Sequence, residues 1–351
     1  MWKIHVYGRA LLGTARAAFL EAAQETSALL LALAGVTLTT LAPVLQFHQM
    51  GEAGRLARDA GFACALMFGL PLAVACASAA VHRELADGTA AVALAKPLPR
   101  GLFLCGKFLG VAGVCAVFWW GVAAALLLAE RASERTVDTG EKIMDVRDAR
   151  LSTLALLAPV AALGAAALLN YLRRARFGVA AFAGIPAALT LVLLACGFWS
   201  PQDAGAACGA CDQGACAAHG FFTGWHWAWD AQIAWRCAPV ALLLLFALWI
   251  YAAFATSLAA RFGGGGTLGL SFALFALGLC ADAVTRGGTA AWRRVFGALV
   301  PNAQHFWMAD ALARDGRLPA AYVPVAGVWT LGWCALFLMA GTALLNRRDV
   351  G

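Results

Sequence analysis

Apolar stretches of about 20 residues alternate with shorter polar segments along almost the whole chain. Eight stand out, at about 27–47, 61–82, 107–129, 152–172, 177–199, 237–258, 267–284 and 323–345. A hydrocarbon core of about 30 Å requires about 20 apolar residues of a helix. Leu/Ala-rich runs of this length satisfy their backbone groups inside lipid as helices. The pattern predicts an all-α fold: a polytopic integral membrane helical bundle of about eight transmembrane helices, forming a single domain over 1–351. Residues 1–22 follow another rhythm, with Arg9 and Arg16 on one helical face and Ile4, Leu11, Leu12, Ala15 and Phe19 on the other. That is the pattern of an amphipathic helix lying in the membrane interface, and it lacks the compact apolar core and cleavage site of a signal peptide.

Composition agrees. Hydrophobic residues make up 62% of the chain and charged residues 13%, with a mean hydropathy of +0.75. The net charge of +7 is spread among the loops and not along one face, which excludes a nucleic-acid partner. With the N-terminus inside, Lys and Arg tie at 13 on each side, so their placement has to decide orientation. Arg83 with Lys96, Arg100 and Lys107, the Arg173-Arg174-Arg176 turn, and Arg347-Arg348 all fall in short segments on the N-terminal side. Short basic segments mark the cytoplasmic face, so both termini are expected in the cytoplasm and the protein in a bacterial inner membrane. Segments 200–236 and 285–322 are then external, and 130–150, rich in both charges, is expected to extend the third span as a solvated helix.

The stretch Val81–Lys107 is ordered beyond what a bilayer-surface loop needs. Gly88 permits a sharp turn, Thr89 can cap a short apolar helix from Ala90 to Leu94, and Pro97 and Pro99 close it. The product is a stiff knob joined to the second and third spans. Its pattern, Glu84…Gly88-Thr89…Lys96-Pro97…Arg100…Phe103-Leu104…Gly106-Lys107, resembles that of type-2 ATP-binding-cassette (ABC) exporter permeases. The N-terminal amphipathic helix is similar to that family's elbow helix, and Asn346-Arg347-Arg348-Asp349 to its ending. Val300-Pro301-Asn302-Ala303-Gln304-His305-Phe306-Trp307 is similar to its Pro-Asn segment before the last span. Pro99 stands where Ser is common, and the chain has more spans than that family usually has.

The resemblance implies a permease subunit whose loop 83–106 docks on a separate ABC ATPase. Arg83, Glu84, Asp87, Gly88, Thr89, Pro97, Arg100 and Lys107 would form the coupling site. It also implies a dimer, with a second copy or a sister permease, set among membrane lipid. The chain itself has no nucleotide-binding signature, because Gly263–Gly266 is not followed by the Lys-Ser/Thr of a phosphate loop. ATP is therefore expected as the partner's cofactor, with none bound directly, and no catalytic constellation stands out.

Cys208, Cys211 and Cys216 crowd one loop near His219 and His226. This spacing can hold zinc, but on the external side an oxidising compartment favours a disulfide, with Cys237 available for a second bridge. The Trp-rich stretch after it, from Trp225 to Trp235, reads as an interfacial belt. Asp282, near the end of the seventh span, is expected to be solvated. The alternative to a permease is a non-transporting membrane scaffold or assembly factor that acts through the external cysteine loop.

Overall fold

A computed structural model describes residues 2–45, 54–88, 99–133, 135–138, 143–146, 148–196, 233–286, 291–315 and 318–347. The helices are α1 (Trp2–Gln24), α2 (Thr26–Leu45), α3 (Arg55–Ala86) and α4 (Arg100–Ala132), followed by α5 (Ala149–Arg173) and α6 (Phe177–Ala195). After them come α7 (Cys237–Ala259), α8 (Gly264–Arg286), the short α9 (Ala291–Leu299) and α10 (Tyr322–Asn346). Among the described residues, eight are long and apolar enough to cross a membrane, all but α1 and α9. This is a polytopic helical bundle, and each observed span lies within a few residues of an expected one. At 1.5 Å per residue α3 and α4 run about 50 Å, beyond a hydrocarbon core of about 30 Å.

The chain divides into two compact units. The first holds Met1–Leu31, Leu66–Val117 and Pro239–Gly351; the second holds Ala32–Ala65 and Phe118–Ala238.

In the first unit α1 packs directly on α4. Gly106 and Gly110 make this possible: an added Cβ would lie 2.0 Å from Thr14 Oγ1 at Gly106 and 2.5 Å from Ala18 Cβ at Gly110. Ala18 and Ala22 are fully buried, whereas Arg9, Leu12 and Arg16 are exposed. Small residues four apart let two helix backbones approach closely, the usual packing device inside membranes. One turn of α3, Ser78–Arg83, is π-helical. It lies against the glycine run ahead of α8, where a Cβ on Gly263 would sit 3.5 Å from His82 Nε2. Between α8 and α10 the chain returns through α9 and two 3-10 turns, Ala303–Phe306 and Ala309–Asp315.

In the second unit α5 and α6 form an antiparallel hairpin. Asp148 caps α5 by accepting from the Leu151 N–H at 3.0 Å, and Arg174 turns the chain in the left-handed region at φ 52°. The expected helical extension over 130–150 is not formed. α4 stops at Ala132, and Arg135–Asp138 pairs antiparallel with Ile143–Val146. The reason is local: β-branched Thr136, Val137, Ile143 and Val146 flank a four-residue connection containing Gly140, which is hairpin chemistry. Of the cysteine-rich segment 200–236, only residues 233–236 are among the described residues, and Cys237 opens α7.

Candidate functional site

Loop 83–106 has two feet, and both are tied down within the first unit. At the α4 foot Lys107 is only 3% exposed, in the second turn of the helix. Its ammonium pairs with Glu84 at 2.5 Å and with Glu21 at 3.4 Å, and it sits 5.7 Å from the centre of the Phe103 ring. At the α3 foot Arg83 forks onto Glu25, with Nη2 donating to Oε2 at 3.1 Å and Nη1 to Oε1. Glu21 lies in the last turn of α1 and Glu25 at its junction with α2, so the end of that helix carries an acid for each foot. Arg100 opens α4 and donates through Nη1 to the Leu345 and Asn346 carbonyls at 3.0 and 3.4 Å. These carbonyls lie in the last turn of α10, where a cation is favoured.

Of the expected coupling residues the structure thus joins Glu84 to Lys107, and holds Arg83 on Glu25 and Arg100 on the end of α10. Asp87 is exposed, and its backbone N–H closes the turn onto the Arg83 carbonyl at 2.8 Å. Gly88 adopts φ +71°, a conformation that favours glycine, and among the described residues no atom lies within 4 Å of an added Cβ. Thr89, Pro97 and the short helix expected at Ala90–Leu94 lie outside the described residues. Sequence reasoning did not single out Glu21 and Glu25. The available signal was two acids at i, i+4, the last acidic residues before the first span, on the same expected side as Arg83 and Lys107. Burial raises the Glu21 carboxyl above its ordinary 4.5, and the charge of Lys107 pulls it back only in part.

A model of the ABC-2 transporter family matches residues 10–200, which include α1, both feet and the spans that carry them. The chain belongs to the ABC-2 family of transporter proteins. No curated protein matches it. ABC-2 permeases are generally non-catalytic membrane subunits and normally work with an ABC ATPase. This protein is accordingly a multi-pass transport permease.

Two further polar clusters were not anticipated. In the second unit of this ABC-2 permease, Glu130 near the end of α4 is buried. It accepts from Arg58 Nη1 at 3.5 Å and the Cys237 thiol at 2.9 Å, and it pairs with Arg236 at 3.6 Å. The neighbouring Arg131 donates to the Cys196 carbonyl at 3.0 Å. Cys237, expected as a disulfide partner, is therefore a free, buried thiol committed to a carboxylate; Cys208, Cys211 and Cys216 lie outside the described residues. The other cluster corrects the expectation that Asp282 is simply solvated. It pairs with Arg286 at 2.5 Å and accepts from Asn302 Nδ2 at 2.5 Å, while Asn302 Oδ1 caps the Ala303–Phe306 turn through the Gln304 N–H. The Pro-Asn segment is thereby fastened to α8.

Proposed function

We propose that the chain is the membrane-spanning subunit of an ABC exporter in a bacterial inner membrane. A separate ATPase docks on segment 83–106, and its nucleotide cycle drives translocation. The observation that carries this reading is the Lys107 cluster. A push on a loop moves helices only if the loop's feet are fixed to them. Here the α3 foot is fixed to α1 through Arg83 and Glu25, and Glu84 binds the α3 foot to the α4 foot through Lys107. Arg100 ties the same foot to the end of α10. ATPase closure would then shift the population between inward-open and outward-open states by acting on α3 and α4 together. Two permease subunits, identical or sister chains, would flank the pathway among membrane lipid. The short basic segments around Arg83–Lys107, Arg173–Arg176 and Arg347-Arg348 support cytoplasmic termini.

The test is purification of the tagged chain from its host in mild detergent. A stoichiometric ABC ATPase is expected to co-purify, and to be lost or uncoupled in Glu84→Ala and Gly88→Val at unchanged expression. Normal export in both variants, or a chain that purifies without an ATPase, would overturn the reading.

A further inference from the structure

α8 is held firmly at its two ends and lightly along its length. Of the eight spans it is the least buried, with 28% of its membrane-crossing stretch covered by the rest of the chain. Its buried positions, Thr267, Ser271, Gly278 and Ala281, form one stripe of small side chains. Beside that stripe Tyr251 of α7 sets its ring edge-on to Phe275, at 5.7 Å between centres. Helices that interlock through large side chains resist displacement, because ridges must leave their grooves. A stripe this smooth presents few ridges.

The near end of α8 meets the α3 foot. A Cβ on Gly264 would lie 3.2 Å from Ser78 Oγ, and one on Gly263 would lie 3.5 Å from His82 Nε2, so the π turn rests on bare backbone. The run Gly263–Gly266 also gives α8 a pliant joint with α7, since glycine restrains the backbone least. The far end, about 27 Å along the helix at 1.5 Å per residue, holds the Pro-Asn segment. Gln304 Nε2 donates to the Leu279 carbonyl at 2.6 Å, and Asn302 Nδ2 to Asp282 at 2.5 Å. The Pro301 carbonyl packs on Gly278, 2.7 Å from where a Cβ would be. The other side of the segment faces α10, where His305 and Phe306 share a cavity of about 1020 Å³ with Trp329 and Trp333.

Two buried polar atoms along this route have no hydrogen-bond partner among the described residues. One is Ser271 Oγ in the small-residue stripe, and the other is His82 Nδ1 in the π turn. A hydrogen bond left unmade at a buried atom raises the energy of the arrangement that contains it. A second arrangement, reached by a small shift of α8 against its neighbours, would relieve both; such sliding of packed helices is a recurrent switching movement.

We propose that α8 is the rod through which the α3 foot moves the Pro-Asn segment. Gly263 and Gly264 are its contact with the foot, and Asn302 and Gln304 are positioning residues at the far end. Displacement of the foot then shifts His305 and Phe306 against α10 and changes the width of the cavity between them. This rests on the coupling role proposed for segment 83–106.

The test uses the full chain with its co-purified ATPase in lipid nanodiscs. Hydrogen exchange is read by mass spectrometry with and without trapping by MgADP and vanadate. Trapping is expected to change exchange severalfold at two places, the foot at 78–88 and the segment at 301–306. Asn302→Ala combined with Gln304→Ala should keep the change at the foot, together with ATP hydrolysis, and lose it at the segment. Gly264→Val wedges a side chain against Ser78 and should produce the same split from the opposite end. A merely structural role would alter basal exchange or the thermal midpoint and leave the nucleotide-dependent difference in place. A full response of the segment in either variant would overturn the proposal, since the movement would then arrive by another path. A response at the foot alone in the unaltered chain overturns it too, and leaves the coupling role of 83–106 standing. No response at either place overturns both.

Discussion

The Lys107 and Glu130 clusters are built with opposite signs. At the first, a cation 3% exposed is neutralised by Glu84 and Glu21, whose side chains are 26% and 37% exposed. At the second, a carboxylate 7% exposed is neutralised by Arg58 at 4% and Arg236 at 31%. The difference lies in how easily each can be rearranged. At the Lys107 cluster only the cation is buried, so separating it from its partly exposed carboxylates desolvates one charge and not two. Arg58 and Glu130 have no such recourse, because separating two buried charges leaves each of them desolvated. If loop 83–106 moves as proposed, its foot and the Glu130 staple are expected to differ in this way.

The sharpest way to break the comparison is Glu130→Ala. It leaves the buried Arg58 guanidinium with only Asp59, 3.9 Å away, for a partner, and a broken buried pair costs about 3–5 kcal/mol. The thermal midpoint of the purified chain should fall steeply; a small change would mean that Arg58 escapes to water. Next come the two left-handed glycines, one per cluster. Gly54, at φ +76°, would place a Cβ 3.0 Å from Glu130 Cγ, whereas Gly88 has open space. Gly54→Ala should therefore lose more stability than Gly88→Ala, whose cost is the left-handed strain alone, about 1–2 kcal/mol. Equal losses in thermal denaturation would refute the crowding argument.

Lys107→Met sharpens the contrast from the other side. Removing one partner of an ion pair is costly when the other is left desolvated, but here Glu84 and Glu21, 26% and 37% exposed, regain water. We expect the thermal midpoint to move by no more than about 1 kcal/mol in stability, while transport by the complex collapses and ATP hydrolysis continues. A large stability loss with coupling intact would make Lys107 a staple like Glu130.

The smallest effect concerns Glu21. Its folded-state pKa is raised, so the native state binds its proton more tightly than the unfolded chain does. Stability attributable to this group is then greatest at low pH and falls as pH rises through the range just above 4.5. Glu21→Gln should remove that decline from a plot of thermal midpoint against pH, and an unchanged plot would assign the decline elsewhere.

The spans were legible because a membrane helix is specified by length and apolar content alone, without reference to its neighbours. The α1 helix was legible from Arg9 and Arg16 against Leu11 and Ala15, but its docking was not. That depends on Gly106 and Gly110 meeting Thr14 and Ala18, a contact between segments about 90 residues apart. The residues expected to couple were named from their order in the chain, yet Glu21 and Glu25, which hold Lys107 and Arg83, carry no motif. Glu130, Arg58 and Arg236 were invisible for the same reason. Each looks like an ordinary charge beside a span, and only packing makes them a cluster. The hairpin at 135–146 was misread because its alternating charges suit a solvated helix as well as a two-stranded ribbon. β-branched residues around Gly140 decide between them.

The π-helical turn at Ser78–Arg83 sets the phase of everything after it. A π turn inserts one extra residue, and in an α-helix each residue advances the azimuth by about 100°. Without the insertion Arg83 and Glu84 would leave the helix about a quarter-turn away from Glu25 and Lys107. The latch at the foot of loop 83–106 is therefore phased by a single supernumerary residue in the helix that bears it. Gly263 and Gly264, lacking side chains, leave room for the bulge that this residue creates.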